Sequence, residues 1–367
     1  MARDLLHTIA LLCLPSVGPV TARRLLTHLG SARAILEAPP ERLARIPGLR
    51  QNADWIHARS EALRIAEREM GIMEREGIDA VLDDDPDFPT RLRHCPDAPL
   101  LLFRRGQTDL DAPRTLAVVG TRSYTHYGRE ATTRIVEDLA TDDGLLVISG
   151  LAAGIDGTAH TACCDRHRAN VAVFGTGLDE IYPTGHHRLA HRILDVGGAW
   201  LSEFPCGMPG LPANFPRRNR IVAGMADAVL VVESGATGGA LITADIAQSY
   251  DRDVFAVPGR SIDRASVGCN RLIKTHVAAL VETADDIRDA MSWGGAKRPP
   301  RQLPLLLADL TDDQESIVHL LREEARVDFE TLRLRTGLAT GALAAELIDL
   351  EMNGHVKMLP GRRYALV

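Results

Sequence analysis

The sequence lacks any apolar run long enough to cross a bilayer. Its N-terminal segment, LLHTIALLCLP, is interrupted by His7 and Pro15 and has no small-residue cleavage site. It therefore predicts a core helix rather than a signal peptide. We expect a cytoplasmic protein that makes no membrane contact.

Residue patterns that bind metals or form disulfides are also missing. The six cysteines show no CxxC spacing, and the thirteen histidines include no HExxH pair. Cys163 and Cys164 are adjacent, and neighbouring cysteines rarely bridge each other. His186, His187 and His191 could form a metal site, but a solvated polar face is the more common role of such a cluster. We expect reduced, buried thiols and no bound metal.

The two common nucleotide-binding signatures do not occur either. No glycine-rich loop has the form GxGxxG with an acidic residue about twenty positions later, and there is no GxxxxGK[ST]. Dinucleotide and nucleoside triphosphate binding are therefore not supported, and we expect no cofactor.

An excess of positive charge is missing as well. The 42 lysines and arginines are outnumbered by 49 acidic residues, which leaves a net charge of −7. A protein that binds DNA through its whole surface would be basic. If nucleic acid binds here, it must bind at a local basic patch, and the affinity should depend on salt.

Such a patch is present between residues 203 and 245. The cluster Phe215-Pro216-Arg217-Arg218-Asn219-Arg220 precedes an apolar run, Ala228–Val232, and a glycine-rich turn at 235–239 that opens a helix near Ala240. A strand, a glycine-rich turn and a helix N-terminus in this order suit an anion, because free backbone N–H groups and the helix dipole point at the ligand. Arginine binds phosphate, and phenylalanine offers a face on which a base can stack. We predict that the basic cluster and the glycine turn form two walls of one anion-binding trough.

Short strands and helices alternate from residue 113 to about 290. The predicted strands are Leu116–Val119, Leu145–Ile148, Val171–Phe174, Ala199–Ser202, Ala228–Val232 and Val254–Val257. The predicted helices are Gly128–Leu139, Gly157–Arg168, His186–Val196, Arg218–Gly224 and Ala240–Tyr250. This alternation is typical of an α/β fold with a Rossmann-like, doubly wound, mostly parallel sheet. Four of the six strands end in glycine-containing loops, which the parallel arrangement brings to one edge of the sheet.

The remaining segments predict two outer domains. We expect a helical domain at 1–77, the Rossmann-like core at 78–292, a linker at 293–304 and a last domain at 305–367. Glycine-containing hairpins at Ser16–Pro19 and Ile46–Leu49 favour a helix-hairpin-helix (SAM-like) module in the first domain. A small helical bundle with Gly-Pro turns is the alternative for that segment.

The last domain has the pattern of a winged helix, with three helices followed by a β-hairpin. A winged helix usually contacts DNA bases with its third helix. Here that helix carries Glu346, Asp349 and Glu351 and has no lysine or arginine. We therefore expect this domain to contact protein, with Arg362 and Arg363 in the wing as the remaining candidates for a DNA contact.

Five segments of the core carry a resemblance to a known family. They are VVGTRSYTHYG (118–128), SGLAAGIDGTAH (149–160), VFGTGLDEIYP (173–183), the stretch from Leu201 to Ala244, and VFAVPG with VGCNRLI (254–259 and 267–273). In order and spacing, over about 160 residues, they resemble the bacterial DNA-processing protein DprA (Smf) family. The layout of a helical N-terminal module, a Rossmann-like core and a winged-helix-like C-terminal module is similar to that family too.

The resemblance implies a function. Proteins of this family bind single-stranded DNA that enters the cell in natural transformation, protect it and help to load the RecA recombinase, without enzymatic activity. A homodimer is implied as well. Carried over to this sequence, the resemblance places in a DNA-phosphate pocket Arg122, Arg218, Asn219 and Arg220, shaped by Gly120, Thr121, Gly150, Gly154 and Gly177, with Phe215 as the base-stacking side chain.

The sequence departs from the family at one point and leaves two other functions open. Many relatives carry a lysine just before the Phe-Pro pair, whereas this chain has Leu211-Pro212-Ala213-Asn214. The main alternative is a Rossmann-like nucleotide phosphoribohydrolase, but those enzymes use a PGGxGTxxE loop with a catalytic glutamate. Here the loop is SGATGGALIT, and no acidic residue follows before Asp245. A DNA-binding regulator that acts through the winged helix is the third possibility, and the acidic third helix argues against it.

Overall fold

The computed structural model describes residues 4–46, 54–207, 210–294, 310–323, 327–353, 355–359 and 363–366. The chain divides into two compact units, Met1–Trp293 and Gly294–Val367. Parts of three predicted features lie outside the described residues. They are residues 47–49 of the second hairpin, residues 295–304 of the linker, and the turn of the wing with Arg362.

A nine-stranded sheet forms the centre of the first unit in the described part of the chain. Its strands are β1 (Asp79–Leu82), β2 (Leu101–Arg105), β3 (Arg114–Val119), β4 (Leu145–Ser149), β5 (Asn170–Val173), β6 (Ala199–Ser202), β7 (Ala228–Val231), β8 (Asp253–Ala256) and β9 (Ala279–Leu280). They lie in the order β1-β2-β6-β5-β4-β3-β7-β8-β9. The strands from β3 to β9 are parallel to one another, while β2 pairs antiparallel with β6, and β1 pairs antiparallel with β2 at the edge of the sheet. The predicted Rossmann-like, doubly wound, mostly parallel sheet is confirmed, and its strand order reverses between β3 and β7.

Helices cover both faces of this sheet. They are α1 (Leu5–Leu12), α2 (Pro19–Leu29), α3 (Ala32–Glu37), α4 (Pro40–Leu43), α5 (Asp54–Glu76), α6 (Thr90–Arg93), α7 (His126–Leu139), α8 (Ile155–Asp165), α9 (His187–Asp195), α10 (Asn214–Gly224), α11 (Gly239–Ser249), α12 (Val267–Lys274) and α13 (Ala284–Ala290). Side chains alternate along each strand, so that Leu116 and Val118 of β3 pack with α7, α8 and α13. Ala117 and Val119 of the same strand pack with α10, α11 and α12 on the other face.

The N-terminal helices form a helix-hairpin-helix module that packs on one end of the sheet. Helix α2 begins after Gly18 with Pro19 in its first position, where the missing N–H of proline leaves no hydrogen bond unmade. Ile9 and Leu25 of this module share a hydrophobic core with Phe103 of β2 and Trp200 of β6. We call this shared cluster the N-terminal core.

Helix α10 begins four residues earlier than the sequence pattern predicts. The predicted start is Arg218, whereas the helix runs from Asn214. Pro216 is tolerated because the first four N–H groups of a helix have no partner within it. As a result, Phe215 lies in the first turn of the helix rather than in a preceding loop.

The second unit has the predicted winged-helix fold. Its elements are α14 (Asp312–Glu323), β10 (Val327–Asp328), α15 (Phe329–Thr336), α16 (Thr340–Met352), β11 (Val356–Leu359) and β12 (Arg363–Leu366). The strands form an antiparallel sheet in the order β10-β12-β11, of which the sequence pattern predicted the β11–β12 hairpin but not the short β10. Ile317, Leu332 and Leu347 lie in the core of this unit.

Candidate nucleic-acid interface

Four connections meet at the carboxyl edge of the parallel strands and enclose a small pocket. It follows β3, β4 and β5 and is closed by the start of α10, which follows β6. The residues that line it are Arg122, Gly150, Ala152, Ala153, Tyr182, Pro183, Phe215 and Arg218. We call it the Arg122 pocket; its volume is about 40 Å³. It lies beside the reversal in strand order, which is where doubly wound sheets bind ligands.

Arg122 is the exposed cation of this pocket. Its guanidinium carbon lies 5.8 Å from the centre of the Phe215 ring. In the described part of the chain, Arg122 is in no ion pair with a carboxylate. An exposed arginine over an aromatic face, with no acidic partner, is available for an anionic ligand.

The backbone before Arg122 is fixed by its neighbours. The amide of Thr121 donates to the carbonyl of Glu233 at 2.7 Å, and its carbonyl accepts from Ile155 at 3.2 Å. Gly154 has φ +94°, and a Cβ added there would lie 2.1 Å from the Thr121 carbonyl oxygen. Only glycine fits this conformation without strain. Gly120 also packs against Ile155, so that these residues shape the loop that presents Arg122.

Arg218, in contrast, is buried, with 4% of its surface exposed. Its guanidinium donates to the backbone carbonyls of Gly150 and Val173. A Cβ at Gly150 would lie 2.4 Å from a guanidinium nitrogen, so glycine makes room for the arginine there. Burial lowers the pKa of Arg218 to about 10, and the positive charge of Arg122 acts in the same direction. The two arginines are therefore close enough to repel, which favours an anion between or above them.

Asp156 is the buried counter-charge to Arg218. Its carboxylate accepts from the amide of Gly150 at 3.1 Å and from that of Ala152 at 3.4 Å. Burial raises its pKa, while Arg218 and these amides act in the opposite direction. This carboxylate holds the loop after β4 in place and offsets one of the two arginine charges.

Two aromatic side chains stand next to Arg122. The rings of Phe215 and Tyr182 are 5.1 Å apart at an angle of 49°, and Tyr182 is 46% exposed. A Cβ at Gly175 would lie 2.8 Å from the Phe215 ring, so this glycine lets the ring approach the loop after β5. The sequence pattern missed Tyr182 and Gly175, although the GTGLDEIYP loop that holds both was recognised.

Two of the predicted site residues, Arg220 and Gly177, lie away from the Arg122 pocket. Arg220 is buried on another side of α10, in an ion pair with Glu203, and it donates to the carbonyl of Asp97 at 2.5 Å. Residues two positions apart do not share a helix face, which separates Arg220 from Arg218. Gly177 packs against the backbone at Cys206.

Asn219 lies between the pocket and the glycine-rich turn. Its Oδ1 accepts from Nε of Arg218 at 3.1 Å, and its Nδ2 donates to the carbonyl of Gly239 at 3.3 Å. The described turn at 235–239 does not line the Arg122 pocket. Asn219 joins the basic cluster to this turn, and the loops after β4 and β5 line the pocket. That the cluster and the turn form the two walls of one anion-binding trough stays a prediction.

Other sequence expectations concern thiols, metals and membranes. The six cysteines are free thiols, and burial raises the pKa of Cys13 to about 11. Among the residues that the structure describes, no cluster of three or more His, Cys, Asp or Glu side chains could hold a metal ion. The described helices include none with the length and apolar character of a membrane span. His187 and His191 stack on each other at 4.5 Å, and His191 packs on Trp200.

Comparison with protein families gives three matches along the chain. The model described as DNA recombination-mediator protein A matches residues 79–292. A DprA winged helix domain matches residues 299–362, and a SAM-like helix-hairpin-helix tandem matches residues 9–51.

Individual relatives agree with these matches. Over 293 residues the chain is 35% identical to Protein Smf of Escherichia coli, with 76% of this chain and 75% of that protein covered. Over 208 residues it is 39% identical to the DNA processing protein DprA of Streptococcus pneumoniae, covering 57% and 72%.

Two solved structures are similar to the fold. The X-ray structure of DprA from Streptococcus pneumoniae superposes with a TM-score of 0.66 at 31% identity, covering 78% of this chain and 98% of that one. A structure of DprA from Helicobacter pylori, whose title concerns its single-stranded DNA binding mode, gives a TM-score of 0.53 at 26% identity. It covers 59% of this chain and 96% of that one.

Proposed function

This chain belongs to the DNA recombination-mediator protein A family, with the DNA-processing role of that family, and we propose that it acts by binding single-stranded DNA in the Arg122 pocket. The observation that carries the proposal is the exposed Arg122 guanidinium over the Phe215 ring, without an acidic partner in the described structure. A phosphate and an unstacked base are the two parts of a single strand that such a pair would bind. The Helicobacter pylori DprA is described as binding single-stranded DNA.

We assign the pocket residues different roles. Arg122 binds a phosphate, and Phe215 with Tyr182 stacks a base. Arg218 contributes positive charge from its buried position in the pocket lining. It also holds the ends of β4 and β5 together through the carbonyls of Gly150 and Val173. The remaining predicted residues act through the backbone and through packing: Gly120, Thr121, Gly154, Gly177, Asn219 and Arg220.

We propose the wider role that the family implies. In the cytoplasm, a homodimer of this chain protects incoming single-stranded DNA and promotes loading of the RecA recombinase in natural transformation. In this proposal, the core of residues 78–292 carries the DNA site, and the helical module of residues 1–77 precedes it. Beyond a linker at 293–304, the acidic winged-helix domain of residues 305–367 contacts protein.

A phosphoribohydrolase activity is not favoured by the local contacts. The nearest carboxylate to the glycine-rich turn along the chain is Glu233, which is 1% exposed. It accepts from the amide of Thr125 at 2.9 Å and from its hydroxyl at 2.6 Å, and Thr125 caps α7. A buried glutamate engaged in a helix cap is poorly placed to act on a substrate. We therefore propose that the protein is not an enzyme.

The test is binding of oligo-dT by variants of the full chain, measured by fluorescence anisotropy over a salt series. Arg122→Ala should weaken binding by roughly 10- to 100-fold, as expected for a charge-assisted contact. It should also reduce the slope of log K against log salt by about 0.7, the value for one phosphate of a single strand. Phe215→Ala should weaken binding by roughly 5- to 150-fold through lost stacking, with the slope unchanged.

Arg134→Ala is the matched control, because Arg134 is an exposed arginine of α7 that donates to the Glu282 carbonyl and does not line the pocket. It should bind like the unmodified protein. If Arg122→Ala binds as tightly as this control, the proposed site is wrong. Release of a free base from a nucleoside monophosphate would support the enzyme instead.

A further inference from the structure

A second, larger cavity lies beside the Arg122 pocket, on the face of the sheet that α7, α8 and α9 cover. Its volume is about 550 Å³, more than ten times that of the pocket. It lies over α8 between α7 and α9, and we call it the α7–α9 groove. Its lining residues are Tyr124, Arg129, Thr133, Gly154, Gly157, Thr158, Thr161, Ala162, Asp165, Gly185, His186, Arg188, Leu189 and Arg192.

The groove and the pocket are built from the same three connections. The loop after β3 supplies Arg122 to the pocket and Tyr124 to the groove. The loop after β4 supplies Ala153 to the pocket and Gly154 to the groove. The segment after β5 likewise reaches both cavities, so a strand seated in the pocket can continue into the groove without crossing another element.

The groove is positively charged. Arg129 of α7 and Arg188 of α9 are exposed, and their side chains are in no ion pair or hydrogen bond in the described structure. Arg192 forms an ion pair with Asp165 at 2.6 Å. Asp165 is the acidic residue of the described lining, so the groove has an excess of two positive charges. Two arginines without an acidic partner in the lining of one groove suit a polyanion.

The floor of the groove consists of small residues of α8. Gly157, Thr158, Thr161 and Ala162 leave room above the helix. A Cβ at Gly157 would lie 2.5 Å from the His186 ring, which shows how closely the segment after β5 approaches α8. Nδ1 of His186 lies 2.9 Å from the carbonyl oxygen of Leu151, and this contact fixes the segment that carries Arg188. The segment that carries Arg188 is therefore held at a defined position beside the small residues of α8.

We propose that the α7–α9 groove binds the phosphodiester backbone of the single strand where it leaves the Arg122 pocket, with Arg129 and Arg188 as its phosphate ligands. This inference rests on the proposed function of the pocket. The pocket is too small to hold more than one nucleotide, so the neighbouring nucleotides of a longer strand must lie on the adjacent surface. The groove is a basic surface, and the connections after β3, β4 and β5 line both it and the pocket.

The test compares Arg129→Gln/Arg188→Gln with Arg134→Gln/Arg166→Gln in the full chain. The control pair removes the same charge from exposed arginines outside the groove, where Arg134 bonds to Glu282 and Arg166 to Glu137. Binding of oligo-dT from four to twenty nucleotides is measured over a salt series. Thermal unfolding confirms that each variant is folded.

The groove variant should bind the shortest oligonucleotides as the control does. It should bind the longest about tenfold or more weakly, with a salt slope smaller by about 1.4, which corresponds to two phosphates of a single strand. Equal binding of the two variants at every length overturns the groove. An equal loss at all lengths also overturns it, because Arg129 and Arg188 would then act on the pocket itself. If the unmodified protein binds no oligonucleotide, the proposed function fails together with the groove.

Discussion

Arg218 provides a sharp test of how the site is held together. The sequence pattern groups it with Arg122 as a phosphate ligand, but its guanidinium is buried and donates to the carbonyls of Gly150 and Val173. We predict that Arg218→Met, which keeps the aliphatic length and removes the charge, primarily destabilises the fold. Arg122→Ala, by comparison, should leave stability within about 0.5 kcal/mol, as is usual for an exposed residue.

The size of the effect follows from the contacts of Arg218. A hydrogen bond to a charged group contributes about 1.5–3 kcal/mol, and two are lost. The buried Asp156 carboxylate also loses a nearby positive charge that opposes the rise of its pKa. We expect the free energy of unfolding to fall by about 3–5 kcal/mol at pH 7.

The loss should also depend on pH. Burial raises the pKa of Asp156 above 3.8 and Arg218 opposes this rise, so removing Arg218 raises the pKa further. A carboxyl group whose pKa is raised on folding stabilises the folded state at low pH and ceases to do so as pH increases through the folded pKa. The deficit of Arg218→Met relative to the unmodified protein should therefore shrink between pH 7 and pH 5.

Urea unfolding followed by circular dichroism at both pH values measures these differences. The control is Arg217→Met, since Arg217 is the neighbouring arginine of α10 with 53% of its side chain exposed. It should unfold within about 0.5 kcal/mol of the unmodified protein. Equal stability of the Arg218 and Arg217 variants at pH 7 would refute a structural role for Arg218. A deficit that does not change with pH would exclude an electrostatic coupling between Arg218 and Asp156.

Three further outcomes are expected. Gly154→Ala should lower the unfolding free energy by roughly 2–5 kcal/mol in urea, because its Cβ meets the Thr121 carbonyl at positive φ. Arg220→Met should cost about 3–5 kcal/mol by leaving the Glu203 carboxylate buried, with oligo-dT affinity of the folded protein unchanged; a tenfold loss of affinity would return Arg220 to the DNA site. Burial lowers the pKa of His160 from 6.5 to about 4, so the unfolded chain binds a proton that the folded one does not, and stability should fall by about 2 kcal/mol from pH 7 to pH 5. His160→Gln should remove that part of the pH dependence, and a curve parallel to that of the unmodified protein would contradict the assignment.

The sheet could be predicted from the sequence because its strands are short apolar runs separated by helical segments. In β3, for example, Leu116–Val119 is a continuous apolar run, as expected for a strand covered on both faces. Parallel strands with right-handed crossovers then fix which ends carry the loops. The place of Arg122 at the carboxyl edge follows from these rules alone.

The interior of the site could not be predicted in the same way. The sequence groups Arg218 with Arg220, but the two side chains leave α10 in different directions. Arg218 contacts Gly150, and Arg220 forms an ion pair with Glu203. Tyr182 was missed because its role depends on the ring of Phe215, which is more than thirty residues away in the chain. Such pairings arise from tertiary packing, and no local periodicity encodes them.

The N-terminal core has a consequence for how this protein can be divided. Ile9 and Leu25 pack in one hydrophobic cluster with Phe103 and Trp200 of the sheet. The helical module and the sheet therefore bury each other's apolar surface. A fragment that starts at residue 78 would expose this face to water and should tend to aggregate. Exchange of the first 77 residues between relatives should therefore succeed only when the facing side chains of β2 and β6 are exchanged with them. The module and that end of the sheet therefore belong to one structural unit.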